Sequence, residues 1–449
     1  MGDWTTTADG WKGRRPRALS PLREHVRDTF WFAPTAAMLL VLLVWAAAAE
    51  ADARIVDALR ESGDYESLKE LLKFADDARV VVTTVSAAMM TFIGVVFSIS
   101  LVALQMASGQ FSPRVVRIFV RSRISKATFA VFLATFVLSL LVLTGFDGER
   151  DPRLVVSVPL VQSLLTLLMV GLSLLLFVMY VNAMLRLMRV GHVIDRITRE
   201  AFRVIARTTA PASGRDPAPD AGPVALGPVT AQVIHHGRAG VLRDVHVSRL
   251  VRAARRQGVV LRLIPRIGDF VVPGTPVLAV HGGAAPAPRR LRGTVSVGVE
   301  RTFHQDLSFG LRQLSDIALR ALSAAVNDPT TAVQALDRIV QFLAAVAGRP
   351  LDTSLHRDRR GEVRLVQPVP GWTELVDLAF TEIRGCAVGT PQVTRRMTAG
   401  LDDLLRITPA GRRAPLVRHR ELLAQAVERA VPEAADRAFA LTPDRQGIG

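Results

Sequence analysis

The residues best equipped for chemistry lie between positions 300 and 328: Glu300, Arg301, His304, Gln305, Asp306, Arg312, Gln313, Asp316, Asn327 and Asp328. An imidazole near carboxylates can act as a general base with an orienting acid, here His304 with Asp306 or Asp316. A hydrolase also needs a nucleophile and an oxyanion hole, and no G-x-S-x-G or comparable turn supplies them. Arg312 and Asp316 are four apart, so they pair on one helix face. Gln305 and Asp306 precede that helix and are placed to cap it. The favoured reading is a structural polar network of Arg301, Gln305, Asp306, Arg312, Gln313, Asp316, Asn327 and Asp328, with no catalytic residue and no enzyme.

Other chemistries are poorly supplied. His235 and His236 are adjacent on an expected strand, so their rings point to opposite faces and make no metal site. Cys386 is the one cysteine, which excludes an internal disulfide and a cysteine metal cluster. After Lys126 there is no lysine, which removes a Schiff base, a biotin or lipoyl carrier and a phosphate-loop lysine. No cofactor is expected, and no motif specifies a small-molecule or ion ligand.

Four apolar runs dominate the first two-fifths of the chain: Phe30–Ala49, Val80–Met106, Thr128–Gly145 and Leu154–Asn182. None holds Asp, Glu, Lys or Arg, and a bilayer-crossing helix needs about 20 apolar residues. The segment before the first run is basic (Lys12, Arg14, Arg15, Arg17, Arg23, Arg27), as is the one between the second and third (Arg114, Arg117, Arg121, Arg123, Lys126). The other two connections are rich in acids, Glu50 to Asp77 and Asp147 to Asp151. Basic loops stay in the cytoplasm. This alternation predicts four crossings with both termini cytoplasmic, in a bacterial plasma membrane. The basic-then-apolar start resembles a signal peptide, but the first run is too long for one and is read as a retained helix.

In the second run Thr84, Thr91, Ser98 and Gln105 are spaced by seven, which winds one polar stripe along a helix. Two readings stay open. One is a seam, where small and polar residues let helices approach and hydrogen-bond. The other is a water-lined ion path, which needs several copies around an axis. No intramembrane carboxylate or histidine is expected, which argues against a proton-driven transporter.

The remaining chain is read as 183–228, a basic amphipathic helix and Pro/Ala/Gly linker; 229–290, a β-rich barrel-like module; and 291–449, a helical cytoplasmic domain. Residues 1–29 form the basic N-terminus and 30–182 the four-helix membrane domain. The amphipathic helix is expected at the lipid surface or as a stalk. The string GDFVVPGTPVLAV has the turn-and-strand pattern of lipoyl-like barrel-sandwich modules. In the last domain Asp328 is the expected N-cap of a helix with Pro329 at its first position, and helices are expected near 374–386, 392–407 and 413–431. The fold class is thus a four-span α-helical membrane protein with a cytoplasmic α+β portion. Net charge is +16, nearly all from arginine. Beyond Arg186 the basic residues read as dispersed among acids, without a stripe of interleaved aromatics, which argues against nucleic acid. The expected partners are the lipid bilayer and further copies of the chain.

The strings FIGVVFSISLVALQMASGQFSPRVVRIFVR and ERTFHQDLSFGLRQLSDIALRALSAAVNDPTTAVQALD resemble the uncharacterised bacterial membrane-protein family called domain of unknown function 2254. The similarity covers about Arg27 to about Arg429. The chain departs from the family pattern at Ala324 or Ala325, where a proline is usual before Asn-Asp-Pro. The resemblance implies a multi-pass plasma-membrane protein. It implies no activity.

Overall fold

The computed structural model describes residues 29, 31–110, 122–146, 158–208 and 226–446. The basic N-terminus, the connections at 111–121 and 147–157 and most of the 208–228 linker lie outside the described residues. The chain forms two compact units, one holding four long helices within residues 20–189 and the other centred on residues 190–449.

In the first unit α1 (Phe32–Glu61), α2 (Tyr65–Gln110), α3 (Arg123–Thr144) and α4 (Leu160–Met188) are long and apolar enough to cross a membrane. The expected acidic loop between the first two runs is instead helical. Residues 50–61 are rich in Ala, Glu and Arg, good helix formers, and Glu50 pairs with Arg54 one turn on at 3.1 Å. The chain reverses at Ser62–Asp64, and Asp64 then accepts the Ser67 N–H at 3.1 Å. With 46 residues α2 is about 69 Å long, roughly twice the hydrocarbon thickness. Val56 and Leu68 pack with Val158 to hold the hairpin. The α3 helix is the best buried of the four, through Phe132, Leu138 and Val142. Its Thr135 hydroxyl meets Ser173 of α4 at 3.1 Å.

The second unit opens with α5 (Val190–Thr208), separated from α4 by extended backbone at Arg189. Its apolar side, including Val193, Ile197, Val204 and Ile205, is buried within the unit against α8 (Leu307–Ala321) and α9 (Pro329–Val346). Between α5 and α8 come β1 (Val229–Ile234), β2 (Gly240–Val245), α6 (Val247–Gln257), β3 (Val260–Leu263), β4 (Phe270–Val271), β5 (Pro276–His281), the short α7 (Pro288–Leu291) and β6 (Val295–Gly298). After α9 follow β7 (Thr353–Arg357), β8 (Val363–Pro368), α10 (Trp372–Ala387), α11 (Pro391–Ile407), α12 (Ala414–Ala430) and α13 (Ala434–Leu441).

The strands make two open sheets, β1-β5-β3-β8-β7 and β4-β2-β6. The expected barrel does not close. The edge of β3 that closure would require is taken by β8, which pairs with it in parallel. The long sheet therefore draws strands from both sides of residue 290. Its core is Leu261, Leu263, Leu278, Val280 and Leu365, under Leu250 and Ala254 of α6.

Gly310 marks the closest approach of α8 to α5: a Cβ there would lie 2.5 Å from the Ala201 Cβ. Gly310→Ala should therefore cost about 1–3 kcal/mol of stability by overpacking. Adding Ala201→Gly should restore most of the loss in thermal unfolding of the detergent-solubilised protein. An unchanged unfolding midpoint for Gly310→Ala would show that this contact does not set the helix spacing.

Candidate functional site

The polar cluster read from residues 300–328 separates into three places. The first joins sheet and helix. Asp306, 2% exposed, is the N-cap of α8, its Oδ1 accepting the Phe309 N–H at 3.1 Å. Arg301 grips it with two bonds, Nε to Oδ2 at 2.7 Å and Nη2 to Oδ1 at 2.9 Å. The same guanidinium donates to Ser308 Oγ at 2.9 Å and stands over the Phe309 ring at 5.4 Å. Gly268, at φ +101°, lies so close that a Cβ would fall 2.6 Å from Asp306 Oδ2. Beside this pair, Gln305 clamps the end of β2: its Nε2 donates to the Val245 carbonyl at 3.0 Å, and its Oε1 accepts the Val245 N–H at 3.2 Å. His304 lies 3.8 Å from Asp244.

The second place joins two helices. Arg312 donates to Asp316 at 2.7 Å and to Glu382 of α10 at 2.6 Å. Gln313, on the same helix, is buried. The third is the turn into α9, where Asn327 takes φ 47° and Asp328 caps the helix by accepting the Thr331 N–H at 3.0 Å. Pro329 stands at the first helical position, as its spacing predicts. Both oxygens of Asp306 accept donors, so this carboxylate ties Arg301, Ser308 and the first turn of α8 together.

On α2 the stripe of Thr84, Thr91, Ser98 and Gln105 is exposed throughout. Thr84 and Thr91 donate to carbonyls of their own helix, Val80 at 2.8 Å and Ala87 at 3.4 Å. The face packed into the bundle carries Val82, Met89, Val96 and Ala103. A cavity of about 50 Å³ lies between α2, α3 and α4. Its lining is apolar apart from Ser173, already bonded to Thr135, so nothing there orients a substrate. Among the described residues no three His, Cys, Asp or Glu side chains gather to hold a metal.

Two polar sites escaped the sequence reading. Asp52, 1% exposed, supplies the cap that α4 lacks in its own sequence. Its carboxylate accepts the Val161 N–H at 2.7 Å and the Gln162 Nε2–H at 3.1 Å. It looked like one more acid of a solvated connection, and its only local signal is its spacing of four from Val56 and Ala48. The other is His419 on α12, 2% exposed, whose Nε2 donates to Asp377 at 2.8 Å while Arg384 donates to its Nδ1 at 3.4 Å. A donor on Nδ1 requires the neutral ring. Burial, with the charges of Arg384 and Arg418 adding to it, pushes the imidazole below its ordinary 6.5 despite Asp377. Burial alone would raise Asp377, but the bonds from His419 and Arg418 hold it below 3.8.

The fold and these sites define a class: a multi-span α-helical membrane protein carrying a second unit of mixed sheets and helices. The chain belongs to the family described as predicted membrane protein (DUF2254), whose model matches residues 27–403. It is 29% identical over 374 residues to uncharacterised proteins of Mycobacterium bovis and Mycobacterium tuberculosis, covering 81% of this chain and 71% of each relative. No solved structure matches.

Two outcomes follow from the missed sites. Asp52→Ala leaves the α4 amides and Gln162 without their buried acceptor, and should cost about 1–3 kcal/mol. Detergent thermal unfolding reads this, and a wild-type midpoint would remove the cap from the fold's supports. For His419, the folded pKa lies below the unfolded one, so the unfolded chain binds the extra proton. Its contribution is therefore full above about 6.5 and is lost as pH falls below that value. Unfolding midpoints should drop from about pH 7 to about pH 5, and His419→Gln should flatten the drop. Some slope will persist, because His246 is shifted in the same direction by its own burial and by Arg249. A drop of undiminished size in His419→Gln would sink the assignment.

Proposed function

We propose that the protein is a homo-oligomeric integral protein of the bacterial plasma membrane, with both termini cytoplasmic, whose α2 helices meet around the symmetry axis and line a polar path for ions. It catalyses no reaction. Its partners are the lipid bilayer and further copies of itself. The observation that carries the reading is the exposure of Thr84, Thr91, Ser98 and Gln105 on the face of α2 away from its own bundle. Hydroxyls lessen the cost of facing lipid by bonding their own helix, as Thr84 does. A glutamine amide is less readily satisfied that way, and a covering neighbour or a water path satisfies it. The alternation of basic and acidic connections supports the orientation. A second reading is a non-conducting scaffold or sensor whose cytoplasmic unit binds a protein or ligand. The size of the unit built on residues 190–449 favours it.

Ser98→Leu separates the readings. With a conducting axis, the variant should assemble normally and lose conductance in planar bilayers. If α2 is only a packing seam, the bulkier side chain should break the oligomer in cross-linking and in size analysis. A wild-type conductance and assembly would overturn both. Impermeant thiol labelling of Asp64→Cys from outside intact cells tests the orientation, and labelling of Arg117→Cys from outside would reverse it.

A further inference from the structure

The arginines of the second unit are unevenly engaged. Many are tied to carboxylates or carbonyls: Arg301 to Asp306, Arg364 to Asp358, and Arg396 to Asp337. The arginines of α6 are not. Arg249, Arg252, Arg255 and Arg256 are all exposed, and among the described residues none of their side chains makes a hydrogen bond or ion pair. At about 100° per residue they fill an arc of roughly 120°, while Leu250 and Ala254 face the core from the opposite side.

A second segment extends the arc. The His246 N–H, just before α6, donates to the Thr294 carbonyl at 2.7 Å, and β2 pairs with β6 up to Val245 and Val295. This brings the turn after α7 beside the start of α6. A Cβ on Gly293 would lie 3.9 Å from Arg249 Nη1. Arg290 and Arg292, also exposed, lie just before that point. From His246 to Val299 the one acid in the sequence is Asp269, which accepts the Arg266 N–H in its own turn at 2.8 Å. The positive field registers on a neighbour: His246 is held below 6.5 by burial first and then by Arg249, with Arg252 adding to it and Asp244 opposing. Among the described residues, β3, β7 and β8, the strands packed against α6, carry no carboxylate, and the nearest acids of that hairpin lie in the β7–β8 turn. Asp358 and Glu362 there are spent on Arg364.

We propose that the arginine face of α6 and the adjoining turn docks on the phosphate headgroups of anionic lipids. The choice of lipid rests on the cytoplasmic placement proposed above, since that leaflet is the anionic one and attracts basic segments. A guanidinium matches a phosphate with paired donors. The unit is covalently tethered to a four-span domain, so headgroups are present at high effective concentration. Nucleic acid is the weaker partner: Phe270 is the sole aromatic between residues 246 and 299, and it lies on β4, which leaves no stacking platform among the arginines. The apolar side of α6 is already buried, so the contact is electrostatic, at the headgroup level and without insertion.

The full chain tests this with Cys386→Ser, which removes the exposed native thiol, and Ser248→Cys, which places one within the arc. The protein is reconstituted in nanodiscs of phosphatidylcholine, alone or with phosphatidylglycerol, and labelled with a neutral maleimide. Labelling should slow by at least about threefold in the anionic discs. High salt should abolish the slowing, as should the joint change Arg249→Gln, Arg252→Gln, Arg255→Gln and Arg256→Gln. Equal rates in both lipids, or slowing that survives the fourfold change, would overturn the proposal. If a labelled DNA duplex binds the phosphatidylcholine discs through these arginines while lipid charge has no effect, the face belongs to nucleic acid and the proposal falls. Nanodiscs expose both sides, so this result does not depend on orientation. Labelling of Ser248→Cys from outside intact cells would instead fault the orientation on which the choice of lipid rests.

Discussion

The carboxylate of Asp306 is the point on which the second unit depends. It is almost wholly buried, and a buried charge persists only when paired and hydrogen-bonded. Arg301 supplies the pairing, the first turn of α8 supplies the Phe309 amide and the Ser308 hydroxyl as donors, and Gly268 lets the β3–β4 turn close over both. One side chain therefore sets where α8 begins and how the turn before β4 lies against it. Gln305, its neighbour, adds the register of β2 through both backbone groups of Val245. Breaking a buried pair by removing one partner is far costlier than the pair's net worth, on the order of 3–5 kcal/mol.

The same economy explains the arginine content. Arg349 donates to the Ala345 carbonyl, Arg412 to those of Ala347 and Arg349, Arg413 to Thr408, and Arg437 to Val431. These are carbonyls at helix ends, which have no partner within their helices. Arginine reaches several acceptors at once with a fixed fork of donors, where lysine offers a point charge. A chain without lysine after Lys126 thus uses arginine as mortar. The bulk charge of +16 averages over arginines in this structural role and those on α6 whose side chains pair with none of the described residues, so it hides the division. The apparent dispersal of basic residues among acids fails where it matters most, between His246 and Val299.

Much of the fold was legible where one physical signal dominates. Four uncharged apolar runs have few alternatives to membrane helices, and Asp328-Pro329 announces the start of α9. The strands β7 and β8 were not seen, because VRLVQP shows no clean alternation of apolar and polar residues. Each is short, they stand between long helices, and β8 finds its place beside β3, about a hundred residues earlier, which no local pattern reveals. The N-caps Asp306 and Asp328 act within their own helices and could be read. Asp52 and His419 could not, because their partners lie 109 and 42 residues away. An acid that caps a distant helix is indistinguishable in sequence from one that is merely solvated.

The geometry of α2 links the fold to the proposed assembly. Two sets of residues repeat every seven positions along it: Val82, Met89, Val96 and Ala103, and Thr84, Thr91, Ser98 and Gln105. They are offset by two residues, and two residues turn a helix by about 200°. The two rows therefore lie on opposite sides and wind together at the same rate. The first row is buried against the chain's own bundle, and the second is exposed. A helix with only one partner needs only one such row, and its other face is best served by branched and aliphatic side chains against lipid. On α2 the second row carries every seventh position as hydroxyl or amide, while Met90, Val95 and Phe97 beside it are exposed and apolar. The contrast within one face sets the row apart from its lipid-compatible neighbours. An assembly in which α2 lies between its own bundle and a common axis gives both rows a partner.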